Sequence, residues 1–348
     1  MGTIVGVDIG SNAVRAVEVS GYDTGKPVIV RQHEIALPET SVRRGEVLEV
    51  GTVTTALRRL WSTGGFTTKD VVLGLGGPRI FARDLSVPKA TLAQIRESLP
   101  FQVQDMLPVP VGDALLDFYP IAEEMGEHGP AVRGMLVAAM KETVDANVGA
   151  VLGAGLRPVH VDLLAFALSR ALAPKRTAKG RDVIVSIGAS TTDVVVVDDG
   201  VPHFVRTIPN GGDDVTRALA TRLQISPEQA EGAKRLIGMG GPMLRPEDRP
   251  ALEVIYEVVG ELLNAVRNTL SYFATANPEE MPRRILVSGG GAQLLGLPAA
   301  LSELTGLPVV VAEPFENVPR ARGAGLRHAQ EPQFGYTAAY GLALGVHA

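Results

Sequence analysis

Apolar runs of strand length, separated by turns of small and polar residues, open the chain. IVGVDI (4–9), AVRAVEV (13–19) and PVIVRQHEIAL (27–37) predict three consecutive strands. A helix over 53–61 and a strand at DVVLGLG, 70–76, follow. Between 78 and 158 the pattern changes. RIFARDLSV (79–87) and GMLVAAM (134–140) read as strands on either side of LAQIRESLPFQVQDML (92–107), whose composition is helical. Pro100 falls inside that stretch; a proline costs about 3 kcal/mol in a helix interior, so a kink or two short helices are expected. KETVDANVGAVLGAGL (141–156) predicts a helix ending near Gly155, and the whole block reads as a small inserted α/β unit. VHVDLLAFALSRAL (159–172) is apolar on several faces and predicts a buried helix.

The opening hairpin then returns. DVIVSIGASTTDVVVVDDG (182–200) repeats IVGVDIGSNAVRAVEVSG (4–21) as strand, turn, strand, but carries Ser186 where the first copy has Asp8. Asp193, further along, reads as pointing out of the second strand, a poor substitute for the missing acid. A third strand, a Gly211-Gly212 turn and a helix from about Asp213 come next. SPEQAEGAKRLIG opens with Ser226 as N-cap, Pro227 in the first helical position and Gln229 placed for a capping box. A long helix over 252–276 shows one apolar stripe: Val259, Leu262, Leu263, Val266, Leu270 and Phe273. RRILVSGGGA, LPAALSELTG, PVVVAE and FGYTAAYGLALG predict strand, helix, strand and a final helix. Two similar α/β units about 180 residues apart point to a duplicated domain rather than a solenoid.

Length agrees with duplication, since single cores stop growing at roughly 250–300 residues and the chain has 348. Its net charge of -5 leaves no basic footprint for nucleic acid. The densest basic run, PKRTAKGR at 174–181, is expected to be a solvated linker. The chain contains no cysteine, which excludes disulfides, zinc–thiolate sites and thiol nucleophiles. Nowhere do about 18 uncharged apolar residues run together. Asp8 interrupts any secretory pattern at the start, and YGLALGVHA at the end carries no basic amphipathic anchor. A cytoplasmic protein is expected.

The repeated turns carry the chemistry. A turn such as DIGSNA exposes successive backbone N–H groups beside a small polar side chain, a nest suited to phosphate oxygens. Two such turns facing each other would clamp a polyphosphate, with an aspartate at the strand end holding Mg²⁺ through water. Rival phosphate motifs are missing: no G-x-x-x-x-G-K-[ST] occurs, and GLGGPR at 74–79 departs from G-x-G-x-x-G after its second glycine.

VGVDIGSNAVRAVEV resembles the first phosphate motif of the actin, heat-shock chaperone and sugar-kinase superfamily, and VIVSIGASTTDVVVV its second. ILVSGGGAQLLGL resembles the adenosine motif, and AEGAKRL the acid-and-lysine pair bordering the nucleoside. IPNGGDDVTRALA is similar to the segment after the second phosphate motif in the PilM family and its relative, the division protein FtsA. MLP and LLDFYPI within the insertion, then MLVAAMKETVD, AGLRPVHVD and FAL, look specifically like the PilM family of type IV pilus assembly proteins. The resemblance spans essentially the whole chain. It implies an actin-like (ribonuclease H-like, duplicated) two-lobe α/β fold with a small α/β subdomain inserted in the first lobe. The first-lobe core would be 1–77, completed by 159–181 and 326–348, with 78–158 inserted. The second-lobe core would be 182–212 completed by 283–325, with 213–282 as its helical subdomain.

Carried onto this sequence, the resemblance implies ATP or ADP with Mg²⁺ between the lobes. Asp8 would organise the metal; Gly10, Ser11, Asn12 and Arg15 would contact phosphates, with Gly188, Ala189 and Ser190 as the opposing turn. Gly211 and Gly212, in the segment after the second motif, would also contact the nucleotide. Glu231 and Lys234 would flank the ribose or adenine, and Gly289, Gly290 and Gly291 would let adenosine lie against backbone. Glu231 and Lys234, three apart on a helix, also read as an ordinary surface ion pair. The superfamily's second turn usually starts with an aspartate. Ser186 stands there instead, which implies nucleotide binding with weak or absent hydrolysis and leaves no catalytic residue assigned.

The partner implied is a PilN-like bitopic inner-membrane protein, whose cytoplasmic N-terminal peptide would lie in a groove at the inserted subdomain. The chain would thus be a scaffold recruited to the cytoplasmic face of the inner membrane through that partner alone. Pilus ATPases and a second copy of the chain are further partners the resemblance admits. Two other readings compete. An FtsA-like division protein would call for a terminal membrane helix, and a small-molecule kinase for a general base facing the terminal phosphate.

Overall fold

Each half of the chain builds the same five-stranded sheet. In the first half β1 (Thr3–Ile9), β2 (Ala13–Ser20) and β3 (Val28–Ala36) are followed by a short hairpin, β4 (Val42–Arg43) and β5 (Glu46–Val47), then α1 (Val50–Gly64) and β6 (Asp70–Leu75). Next come β7 (Ile80–Pro88), α2 (Leu92–Gln102), β8 (Ala114–Gly126) and β9 (Gly129–Met140), then α3 (Lys141–Gly153), β10 (Arg157–Leu163) and α4 (Leu164–Leu172). The second half runs β11 (Arg181–Ile187), β12 (Thr192–Asp198), β13 (Val201–Ile208), α5 (Gly212–Leu223), α6 (Pro227–Ile237), α7 (Arg249–Ala276), β14 (Pro282–Ser288), α8 (Leu297–Thr305), β15 (Val309–Val311) and α9 (Thr337–Ala343). The computed structural model describes residues 2–126, 129–174, 180–240, 245–278, 280–316, 318–321 and 333–345.

The two sheets have the orders β10-β6-β1-β2-β3 and β15-β14-β11-β12-β13, and β7-β9-β8 form a separate three-stranded sheet. In each large sheet three antiparallel strands come first and two parallel strands extend the other side. The valine runs on β1, β11 and β12 are buried on both faces, as strands covered by helices on both sides must be. Val53, Leu57 and Leu60 of α1 cover one face of the first sheet together with Ala150 and Val151 of α3. The other face meets Ala339 and Leu342 of α9 and Ala167 of α4, while Ala165, Leu168 and Leu172 of α4 pack on Ile184, Val195 and Leu286 of the second sheet. Helix α4 therefore belongs to both cores. The stripe on α7 is buried throughout its length against Val183, Val185, Val194 and Val196, each large side chain contributing roughly 1.5–3 kcal/mol.

Several elements depart from the sequence reading. Residues 159–163 are strand, not helix: β10 pairs in parallel with β6, and helix begins only at Leu164. Pro100 does not split α2 into two helices; it falls in the last turn, two residues before the end. Thr91 and Gln94 form a capping box at the other end. The strand β8 was hidden by Pro120 and its acidic residues. It is an outer strand, with an irregular register between Pro120 and Ala122, the setting in which a sheet tolerates proline. The triple glycine closes into a single helical turn after β14. Ser226, Pro227 and Gln229 cap α6 as expected. Residues 175–179 of the basic run, 241–244 of the loop before α7, and 322–332 and 346–348 near the C-terminus lie outside the described residues.

Candidate functional site

The two repeated turns are the same object built twice. Gly10 N–H donates to Ala13 O at 3.0 Å, and Gly188 N–H donates to Thr191 O at 2.8 Å. They also meet: Ser11 Oγ and Ser190 Oγ are 2.5 Å apart. Asn12 Nδ2 donates to Asp213 Oδ1 at 2.9 Å, joining the first turn to the start of α5. The turns thus face each other between the two sheets, with Asp8 and Ser186 on the strands leading into them.

Hairpin register decides where the acids stand. Asp8 lies opposite Arg15, and Ser186 lies opposite Asp193. Directly opposed residues of an antiparallel pair share one face. The acid missing from the first strand of the second hairpin is therefore present on its second strand, one position across. Asp193 does not point out to solvent, contrary to the sequence reading: it is buried and accepts from Thr207 Oγ1 at 2.5 Å. Burial pushes its carboxyl up to about 6, against the Thr207 hydrogen bond and with the Asp8 charge adding to the rise. Burial likewise raises Asp8, against the pull of the Arg15 guanidinium. Asp213 is raised by burial too, despite the Asn12 hydrogen bond. The signal for Asp193 was available: a β12 run apolar on both faces has no outward side for an acid to occupy.

Around the second turn, Gly212 N–H donates to Gly188 O at 3.0 Å and Asp213 N–H to Ala189 O at 2.8 Å. Lys234 Nζ donates to Gly212 O at 3.1 Å and to Thr216 Oγ1 at 2.9 Å, and pairs with Glu231 at 2.6 Å. Burial opposes ionisation of Glu231, but hydrogen bonds from Lys234, Arg235 and Thr216 outweigh it and hold the carboxyl at about 2. The glycine triplet closes the ring. A Cβ on Gly289 would come 2.4 Å from Ile187 O, and one on Gly291 would come 2.3 Å from the Ile187 side chain, whereas at Gly290 it would meet nothing within 4 Å. Two glycines are needed for packing, and the middle one faces open space. Arg15 is shared: its Nε bonds Glu34 of β3 at 2.8 Å, while its Nη1 stays beside Gly10 and its charge acts on Asp8. The two turns, the Gly211-Gly212 segment and Lys234 are thus joined by hydrogen bonds, and Gly289 and Gly291 pack on Ile187 at the end of β11.

Among the described residues no three His, Cys, Asp or Glu side chains gather closely enough to cage a metal. Asp193 is buried and Asp8 partly buried, and the charge of Asp8 is felt at Asp193. That donor set suits Mg²⁺, which takes one or two carboxylates and completes its shell with water and substrate phosphate. Among the described residues no helix is long and apolar enough to cross a membrane.

Comparison with known proteins agrees with this architecture. The family model described as type IV pilus assembly protein PilM matches residues 6–346. The solved PilM-PilN type IV pilus biogenesis complex superposes with a TM-score of 0.83 at 26% identity, covering 98% of this chain and 97% of that one. Cell division protein FtsA of Pseudomonas aeruginosa is 23% identical over 352 residues, 90% of this chain and 83% of its own length. MreB 5 of Spiroplasma citri, solved bound to AMPPNP, shares the fold with a TM-score of 0.56 at 12% identity, over 97% of this chain and 94% of that one. The chain belongs to the PilM family of type IV pilus assembly proteins and has their actin-like fold.

Proposed function

We propose that this protein is a nucleotide-binding scaffold of the pilus inner-membrane platform, holding ATP or ADP with Mg²⁺ between its lobes. The observation that carries the reading is the pair of equivalent turns whose hydroxyls meet at Ser11 and Ser190, on hairpins that carry Asp8 and Asp193. Backbone N–H groups of both turns would take phosphate oxygens, and Asp8 with Asp193 would hold the hydrated cation. Glu231 and Lys234 border the nucleoside in this reading, and Gly290 leaves room for it. Turnover is slow. A carboxylate on β12 supplies charge to the cation but stands one strand spacing, about 4.8 Å, from where an acid at 186 would orient water.

The second half of the proposal is a partner peptide in extended form. Strand β10 is an outer strand of the first sheet, with Val159 and Val161 exposed on it. Tyr119 of β8 stacks on Phe166 of α4 at 4.9 Å, which brings the inserted sheet to the end of β10. An extended segment adding to that edge would gain backbone hydrogen bonds for affinity and side-chain pockets for selection. By kinship with the PilM-PilN complex, the segment is the cytoplasmic N-terminus of a PilN-like bitopic protein. That partner would bring the scaffold to the cytoplasmic face of the inner membrane. The test is a pull-down from membrane extract with and without ATP–Mg²⁺, repeated with Val161→Glu. Capture of a PilN-like protein by the unmodified chain and its loss in the variant are expected. Equal capture by both places the peptide elsewhere.

A further inference from the structure

If nucleotide occupies the cleft, its terminal phosphate must find positive charge, and most nearby cations are already committed. Arg15 is paired with Glu34, and Lys234 with Glu231. Asp8, Asp193 and Asp213 add negative charge to the same space. One element reaches in from the side. The hairpin β4–β5 turns through Arg44 and Gly45, both with positive φ, 51° and 82°. That is the two-residue turn for which asparagine or glycine is the ordinary first residue. An arginine there holds a left-handed backbone that its side chain disfavours.

The surrounding structure holds the hairpin in place. Val42 and Val47 are buried in the first-lobe core, and Glu46 pairs with Arg79. A Cβ on Gly45 would come 2.2 Å from Gly76 O, so the tip lies flat on the Gly76-Gly77 backbone. From this position Arg44 N–H donates across to Ser190 Oγ at 3.2 Å. Ser190 is the same hydroxyl that meets Ser11. The tip therefore touches the point where both turns converge. Arg44 is half-buried, and its guanidinium makes no hydrogen bond or ion pair among the described residues.

We propose that Arg44 is the ligand of the terminal phosphate, by which the chain distinguishes a nucleoside triphosphate from a diphosphate. A guanidinium presents a planar fork that matches phosphate oxygens in pairs. Disfavoured backbone persists where surrounding structure over-determines it and function uses it. The assignment rests on the nucleotide reading above and deepens it.

The experiment is calorimetric titration of ATP–Mg²⁺ and ADP–Mg²⁺ into the unmodified chain, Arg44→Gly and Arg44→Lys, with thermal midpoints as a check on folding. Glycine suits the left-handed turn, so Arg44→Gly removes the guanidinium and keeps the hairpin. Arg44→Gly is expected to bind ATP about ten- to a hundredfold more weakly, the scale of a hydrogen bond to a charged group. Its ADP affinity and midpoint should be unchanged, with Arg44→Lys intermediate for ATP. If ATP and ADP affinities fall together, or neither falls, while the unmodified chain binds both, Arg44 is not the terminal-phosphate ligand. An unmodified chain that binds neither nucleotide overturns the nucleotide reading and this assignment with it.

Discussion

Ser186 and Asp193 show how much one register position decides. Counted along the sequence, the second hairpin lacks an acid; counted across the strand pair, it carries one opposite Ser186. In the proposed site, two roles that a single aspartate would combine are split: charge for the cation would stay with Asp193, and orientation of water would be lost at 186. Ser186→Asp is expected to raise phosphate release by about a hundredfold or more, the low end of what a positioned base supplies. An unchanged rate with nucleotide still bound would contradict that division, as would unmodified turnover on the order of 1 per second. Glu231 offers an independent check. Its carboxyl sits at about 2 in the folded chain against an ordinary 4.5. A depressed acid stabilises the fold above its unfolded value and loses that contribution as pH falls toward the folded one. In denaturant titrations the stability gap between the unmodified chain and Glu231→Gln should shrink between about pH 4.5 and 2. A gap constant over that range would mean that the Lys234 and Arg235 contacts do not hold the charge.

At the level of elements, legibility followed local signal. Duplicated hairpins, the capped α6 and the apolar stripe of α7 were readable because each shows its own period or cap residues. The strand β10 was not, since Val159 and Val161 run straight into the apolar helix α4 and one continuous hydrophobic segment hides the boundary at Leu163. Parallel pairing with β6 supplies the backbone partners that settle it. Proline misled at Pro100, which α2 contains in its last turn without dividing, while Pro120 is tolerated because β8 is an outer strand. The convergence of the site was legible only through resemblance. No local pattern says that Ser11 touches Ser190, or that the hairpin tip at Arg44 reaches Ser190, because both contacts join segments far apart in the chain.

For the whole molecule, the duplication is the functional fact. Two sheets of one order place two equal turns opposite each other, while α4 and α9 lie between the sheets and belong to the cores that join them. A ligand gripping both turns would tie the lobes together, and the inserted sheet would feel that closure through α4, which Tyr119 contacts at Phe166. The proposed function depends on nucleotide binding beside the glycine turn. Gly290 is the position to probe, because a side chain there enters open space and disturbs no packing, unlike Gly289 or Gly291. Titration of ATP–Mg²⁺ into the unmodified chain and into Gly290→Val tests the claim directly. Binding by the first and loss of binding by the second, at equal thermal midpoints, is the predicted result. Equal affinity in both proteins, or no binding by either, would contradict it.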